Sequence, residues 1–524
     1  MTNVANTVTV TNVVIVGAGP TGLTLACGLA RQGVAVRVLE RAAAHATGSR
    51  GKTLNPRSLE ILADLGLADG LAAVGRTHLP FRKYFEGAFV NETEPFAGAR
   101  PSATEPYPAS RWLYQPQLER LLRDRLAELG VTVELGAEVV DVRQDADGAE
   151  VVLADGGRIP AQYVVACDGG RSTVRKLLGI PFVGEGDPEP MMVCGDVEVE
   201  GLEPGAWHQW FGPEGAFMLC PFEDSPRWQL QATPETDADG RTVPPSLESF
   251  QRLAARHTGR DDIRLGNATW LSTWRVNVRM AERYREGRVL LAGDCAHVHP
   301  TAGGLGMNTG VQDAWNLGWK LGHVLRGLAA PALLDTYQEE RLPIAAWTLD
   351  VTSAGMAAVV EGIDTPGIGV EAGGVGDFTG LSLGYRWSSL AGGGPAGSGA
   401  AGRDAGEGGA GEADDEPRPR AGDRAPDGPC PGPDGAPGRL FERFAGDDFT
   451  LLGLGAGARP ELAGLPGHVR PVRVEDRDGE VRRAYGVTGE ALVLVRPDNH
   501  IALITPATEP GPVHAYLARL GATG

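Results

Sequence analysis

The chain has 524 residues, 42% of them hydrophobic, enough for a large buried core, and at one domain per ~150 residues the length suggests about three domains. A formal charge of −19 repels nucleic acid and anionic membrane and argues against both as partners. The most apolar run, Val13 to Ala30, is broken by Gly17, Gly19, Pro20 and Gly22 and falls short of a membrane helix. The opening residues lack the basic start of a signal peptide, so the expectation is a soluble, cytoplasmic protein.

In chain order, Asn12 to Val16 reads as a strand, Pro20 to Gln32 as a helix, Val34 to Glu40 as a second strand, and Arg57 to Leu65 as a helix closed by Gly66. Strand, turn, helix and strand open a doubly wound α/β sheet. Gln115 to Leu129 is helical, with Leu118, Leu121, Leu122 and Leu126 on one face; Val131 to Leu135, Ala137 to Arg143, Glu150 to Leu153 and Ala161 to Ala166 read as strands. Pro181 to Asn277 alternates apolar and polar residues and is rich in aromatics, which predicts a mixed sheet inserted into the first domain. Arg288 to Ala292 returns as a strand, followed by helices at Val311 to Gly327 and about Thr336 to Val360. Ala391 to Gly438 is Gly, Ala, Asp, Glu and Pro with almost nothing apolar, so a mobile linker is expected through about residue 420. Beyond it, Phe449 to Leu454, Val469 to Val474, Ala491 to Val495 and Ile501 to Ile504 read as strands, and Pro512 to Leu520 as a closing helix.

Gly17-x-Gly19-x-x-Gly22 lies between a strand and a helix, where such glycines allow a tight turn, backbone approach to a pyrophosphate and close helix packing. Glu40 ends the second strand, 18 residues after Gly22, placed to accept from ribose hydroxyls; its neighbour Arg41 lies beside an adenine or in solvent. This motif specifies a dinucleotide without choosing between NAD and FAD.

A second motif makes that choice. Val289-Leu-Leu-Ala-Gly293-Asp294 leads through Pro300 to Gly304-Leu-Gly306-Met307-Asn308. Cys167-Asp168-Gly169-Gly170-Arg171-Ser172 is a third. In these motifs the chain resembles the group A FAD-dependent aromatic monooxygenases of the para-hydroxybenzoate hydroxylase fold. Its C-terminal part resembles the thioredoxin-like tail of the aromatic polyketide hydroxylase branch. The resemblance implies that Asp294 holds the FAD ribityl chain, that the N–H groups of Met307 and Asn308 face the flavin N1–C2=O edge, and that Asp168 lies near the pyrophosphate. By the same resemblance Arg50 reaches the FAD phosphates, Gln115 meets the ribityl chain, and the Tyr337-x-x-Glu340-Arg341-x-Pro343 stretch is structural. Phe217, Met218, Leu219 and Pro221 fall where the family's substrate sheet faces the flavin, so they are expected to line the substrate.

The implied fold is α/β: a Rossmann-like FAD-binding domain in two parts (1–180 and 280–390, the latter with connecting helices), a substrate-binding insertion (181–279), a disordered linker (391–421) and a thioredoxin-like domain (422–524). The implied reaction runs in fixed order: NAD(P)H reduces FAD, O₂ adds at C4a, and the hydroperoxide transfers OH to a phenolic or polycyclic ring. Baeyer–Villiger or epoxidising chemistry on the same scaffold, and a non-oxygenating flavoprotein, remain alternatives. No catalytic base can be named from the sequence. His297-x-His299 lacks a third ligand, and no metal is expected. The six cysteines (27, 167, 194, 220, 295 and 430) form no C-x-x-C pair, so reduced buried thiols without disulfide chemistry are expected.

Overall fold

Val13–Val16 is buried at all four positions because it runs between two parallel neighbours, Tyr163–Ala166 and Val36–Glu40. A strand covered on both faces reads as a continuous apolar run rather than an alternating one. The structure, a computed structural model, describes residues 11–299, 304–362, 378–392, 418–432 and 436–521. The chain divides into two compact units: Met1–Ala99, Ala109–Ala314 and Ala345–Thr379 form the first, and Arg100–Pro108, Trp315–Ile344 and Gly380–Gly524 the second.

The first unit is built on a six-stranded sheet ordered Arg285–Glu286, Val289–Leu291, Tyr163–Ala166, Val13–Val16, Val36–Glu40 and Val133–Leu135. All neighbours are parallel except the edge strand Arg285–Glu286. The first helix, Pro20–Ala30, follows the glycine turn, and Gln115–Glu128 packs beside it. A separate three-stranded sheet joins Val139–Gln144, Ala149–Leu153 and Arg158–Ala161. The strand expected at Ala161 to Ala166 begins at Tyr163, and Ala161 instead ends Arg158–Ala161, a strand of the three-stranded sheet.

An eight-stranded sheet completes this unit. Its order is His297–Val298, Arg264–Ala281, Phe182–Glu200, Arg227–Ala232, Gly215–Pro221, Trp207–Gly212, Phe81–Phe85 and Ala88–Thr93. Two outer strands therefore come from residues 81–93, far upstream of the segment whose pattern predicted the sheet. That segment also holds a helix, Leu247–Thr258, capped by the Ser246 hydroxyl on the Ser249 N–H and closed by Gly259 at φ +64°. The helix covers one sheet face, where Phe250, Leu253 and Ala254 pack with Trp210, Phe217, Leu219, Trp228 and Leu230.

The second unit carries a mixed, thioredoxin-like sheet ordered Val469–Val474, Phe449–Leu454, Ala491–Val495 and Ile501–Pro506. Strand alternation feeds two cores. Leu451, Leu492 and Leu494 meet Val513, Tyr516 and Leu517 on one face, while Leu452, Leu454, Val493 and Val495 meet Leu440, Phe444 and Tyr485 on the other. Of the expected linker, 393–417 lies outside the described residues; its first residues are anchored, since the Gly392 N–H donates to Ala502 O at 2.8 Å. Cys430 is buried, and all six cysteines are free.

Glu340 stands on the long helix Asp335–Gly362 and is fully buried. Its carboxylate accepts from Arg496 Nη1 and Nη2 at 2.6 and 2.9 Å, from Lys320 Nζ at 2.6 Å, and from Asn316 and Ser388. Arg496 also grips Asp498, which takes the Trp319 indole N–H at 3.0 Å. Two buried cations thus face two buried carboxylates. Despite burial, the cations hold the Glu340 carboxyl well below its usual range. Its stabilising contribution is therefore present above the unfolded carboxyl value and is lost only as pH falls through strong acid. Glu340→Ala leaves Arg496 and Lys320 uncompensated and is expected to cost about 3–5 kcal/mol, read as a large fall in melting temperature.

Candidate active site

Three glycine-bearing turns meet at the C-terminal ends of the parallel strands, where doubly wound sheets bind ligands. Gly17 has φ +107°, and a Cβ there would stand 2.3 Å from Cys167 O, so the first turn lies directly on the Cys167-Asp168 turn. A Cβ on Gly22 would meet Gly17 O at 2.1 Å, which holds the helix against the turn. The third turn, Gly293–Cys295, has Gly293 at φ +69°; its Cα side and Gly310 both close on the Thr21 side chain of the first helix. Gly19 has nothing within 4 Å of where a Cβ would lie. That open ground before a helix N-terminus suits a pyrophosphate.

Glu40 organises the first turn: its carboxylate accepts the Ala18 N–H at 3.1 Å and the Ala42 N–H at 3.0 Å. Each oxygen keeps a lone pair for a ribose hydroxyl. Asp294 is exposed at the rim of its turn, and Arg41 and Arg50 are also exposed. Asp168 is occupied differently from expectation. Its Oδ2 accepts the N–H groups of Thr173 and Val174 at 2.8 and 3.2 Å and so caps the short helix Thr173–Leu177, while its buried Oδ1 has no partner. Arg175, three residues beyond Ser172, is buried, donates to Cys295 O at 2.7 Å and stacks on Phe182.

The helix expected from Val311 starts six residues earlier, as Leu305–Leu325. Gly306, Met307 and Asn308 therefore lie in its first turn, where helical N–H groups have no intrahelical acceptor. Pro300 and Gly303 lie outside the described residues. Asp313, two turns on, accepts the Gly293 N–H at 3.0 Å and bonds His297 Nε2 at 2.7 Å, all fully buried. This one carboxylate ties the Gly-Asp turn to the helix. The sequence reading did not single it out; its signal was spacing, three residues beyond Gly310 on the helix face that also closes on Gly293.

Residues 49–55 form a second bridge. Asn308 Oδ1 accepts the Asn55 N–H and its Nδ2 donates to Thr53 O, both at 2.9 Å. Gln115 Oε1 accepts the Gly51 N–H at 2.7 Å, and Met307 Sδ lies 3.1 Å from the Cβ position of Gly51. On its other side the segment reaches the eight-stranded sheet: the Ser49 N–H donates to Asp196 at 2.8 Å, and Lys52 Nζ donates to Gln229 and Gln231. Burial pushes the Asp196 carboxyl up to about 7 against the pull of the Ser49 N–H.

Among the described residues no group of three or more His, Cys, Asp or Glu could hold a metal, and no helix is long and apolar enough to cross a membrane. Residues 10–352 match the family described as FAD binding domain, and 418–522 match aromatic-ring hydroxylase, C-terminal. A flavin-dependent monooxygenase of Mycobacteroides abscessus is 39% identical over 97% of this chain and 99% of its own. This chain belongs to the FAD-dependent monooxygenases. The monooxygenase is also 40% identical to 6-methylpretetramide 4-monooxygenase of Streptomyces rimosus, over 66% of this chain and 62% of that one. The solved ternary complex of aklavinone-11 hydroxylase with FAD and aklavinone superposes with a TM-score of 0.79 at 28% identity, covering 97% of this chain and 98% of that one. The enzyme carries FAD and draws electrons from NAD(P)H.

The monooxygenase corrects part of the expected substrate lining. On Gly215–Pro221, Phe217 and Leu219 turn toward the Leu247–Thr258 helix and are fully buried in its core, and Pro221 shares their parity. Only Met218 points to the opposite face, where it is half-buried across from Gln209 and Gln231. A strand's period of two decides this: the consecutive residues Phe217, Met218 and Leu219 could not all face one ligand.

Asp313→Ala removes the acceptor for two buried donors and frees the Gly-Asp turn. FAD should bind about 10- to 100-fold more weakly, the equivalent of ~1–3 kcal/mol, measured by flavin fluorescence during titration of the apoprotein.

Proposed function

We propose that the monooxygenase hydroxylates a phenolic or polycyclic, polyketide-like aromatic substrate in the cytoplasm, using O₂. One observation carries this reading. The face of the eight-stranded sheet away from the Leu247–Thr258 helix combines an aromatic wall with polar side chains. Phe81 meets Trp207 edge-on at 4.9 Å and Trp112 at 6.0 Å, beside Cys220 and Met218. Gln209, Gln229 and Gln231 alternate with the core residues of their strands, so they share this face. A flat, oxygenated ring needs such a surface: apolar area for the ring and a few fixed polar groups for its oxygens. Residues 49–55 join this face to the start of the Leu305–Leu325 helix.

In this reading Gly17, Gly19 and Gly22 admit the pyrophosphate, Glu40 and Arg41 serve the adenosine end, and Arg50 meets the phosphates. Asp294 and Gln115 hold the ribityl chain, while Asp168 stiffens the neighbouring turn. Gly293, Pro300 and Gly306 shape the loops, and the N–H groups of Met307 and Asn308 face the flavin N1–C2=O edge. A helix N-terminus at that edge stabilises the negative charge of a reduced ring. Bound FAD supplies the redox chemistry that accepts electrons from NAD(P)H and delivers one oxygen atom of O₂ to the substrate. The chain's own groups bind, orient and shield. The domain division follows the same reading: 1–180 and 280–390 for FAD, 181–279 for substrate, 391–421 as linker and 422–524 as the tail. Relatives that act on 6-methylpretetramide and aklavinone support the polyketide class.

NAD(P)H oxidation is screened over phenols and aromatic polyketides, with mass spectrometry for a product one oxygen heavier. Absence of any such product across the panel removes the reading. The sequence carries one dinucleotide fingerprint, so nicotinamide meets the flavin transiently. A true substrate is expected to accelerate anaerobic flavin reduction at least ~10-fold, about 1.4 kcal/mol of barrier, in stopped-flow absorbance. Equal rates with and without a turned-over substrate would exclude this control.

A further inference from the structure

Lys52 places an ammonium group on the aromatic face of the eight-stranded sheet without an anionic partner. Its Nζ donates to Gln229 Oε1 at 2.8 Å and to Gln231 Oε1 at 2.7 Å, and lies 4.2 Å from the Trp207 ring centroid. The Gln229 carboxamide is itself fixed, because its Nε2 donates to Ser49 O. Among the described residues Lys52 makes no ion pair. Asp196, on the same face, is engaged by the Ser49 N–H and forms no ion pair with Lys52; its charge acts on Lys52 only from beyond contact distance. Two carboxamides and a π-face can take up the three ammonium donors, but none of them supplies a compensating negative charge.

The same face holds further unmet polar groups. Gln209 is 2% exposed, and its Oε1 has no hydrogen-bond partner; the Trp207 indole N–H also has none. Gln209 and Trp207 belong to one strand, which pairs with the strand bearing Met218. A cation, a neutral donor and a neutral acceptor thus surround half-buried Met218 and Gln231. A half-buried cation whose ammonium is bonded only to neutral groups is costly unless an anion completes its shell. The enclosed ligand that meets all three is a ring with one ionised oxygen and a neighbouring hydroxyl or carbonyl.

We propose that Lys52 binds the aromatic substrate through an acidic ring oxygen, a phenol or vinylogous acid held as its oxyanion, with Gln209 and Trp207 reading the adjacent oxygen. The assignment rests on the aromatic-substrate reading above. The released proton goes to bulk water. The oxyanion raises electron density at the ring carbons ortho and para to it, where an electrophilic oxygen is accepted. Burial lowers the Lys52 pKa, so the protein has already disfavoured the charge that the bound anion restores.

The holoenzyme is titrated with a hydroxyanthraquinone, whose ionisation is visible by absorbance, and with its O-methyl ether, which cannot ionise. With wild type, the red-shifted band of the ionised form should appear below the pH at which the free compound ionises. Lys52→Met should weaken binding of the hydroxy compound by about 10-fold or more and abolish that band. Its affinity for the methyl ether and its FAD content should be unchanged, with a melting temperature equal to or above wild type. Lys52→Arg should keep the band, and it supplies the comparison if Lys52→Met does not retain FAD. Unchanged affinity for the hydroxy compound, or equal loss for both ligands, overturns the role of Lys52 while leaving the enzyme's turnover of aromatics standing. A wild type that neither binds nor oxygenates any aromatic of the panel overturns both.

Discussion

The buried Asp313 carboxylate is the joint on which the flavin platform turns. A dinucleotide site needs backbone N–H groups left unpaired, which a folded chain tolerates only if the surrounding turns cannot collapse onto them. Asp313 meets that demand by holding the Gly293 N–H and the His297 ring from the helix that begins at Leu305. Thr21 meets it from the other side, filling the space that Gly293 and Gly310 leave open. The loops can then stay irregular where they approach the cofactor, because their ends are fixed to two helices.

The second unit handles buried charge by the opposite means. Glu340, Asp498, Arg496 and Lys320 satisfy one another almost completely, so the network contributes fixed geometry and carries no chemistry. Lys52 in the first unit is surrounded by neutral carboxamides instead. The buried cluster of the second unit is complete in itself, whereas half-buried Lys52 has only neutral carboxamides in hydrogen-bond contact.

Much of this was legible in the chain. The glycine turn obeys local rules, so its place between strand and helix could be read from spacing, while Gly293-Asp294 and the Gly304 to Asn308 stretch were legible through the family resemblance. The central strands of the second unit, Phe449–Leu454 and Ala491–Val495, could be placed closely because they are buried on both faces and largely apolar. What escaped was set by distant pairing. Nothing local shows that Phe81–Phe85 pairs with Trp207–Gly212, or that Arg158–Ala161 and Tyr163–Ala166 enter different sheets. The Leu247–Thr258 helix carried a readable signal in Ser246 and Gly259, overshadowed by the strand pattern around it. The substrate face also had its signal: in Arg227 to Ala232 the glutamines alternate with Trp228 and Leu230, so a buried strand keeps a polar side. Only the structure shows Lys52 answering them.

The order of strands in the six-stranded sheet has a kinetic consequence. Val13–Val16 pairs with Tyr163–Ala166, and that strand pairs in turn with Val289–Leu291. Contacts so far apart in sequence give a high contact order, and such sheets close slowly because chain entropy is spent before the pairing stabilises it. During synthesis the N-terminal turn emerges first, yet the far side of its sheet is missing until residue 291 has left the ribosome. The nascent chain therefore carries an open, apolar strand edge at Tyr163–Ala166 through more than a hundred residues of elongation. The inserted sheet, whose hairpins from Trp207 to Ala232 are local, can form in that interval. The substrate-facing layer is thus able to assemble before the cofactor platform that it serves.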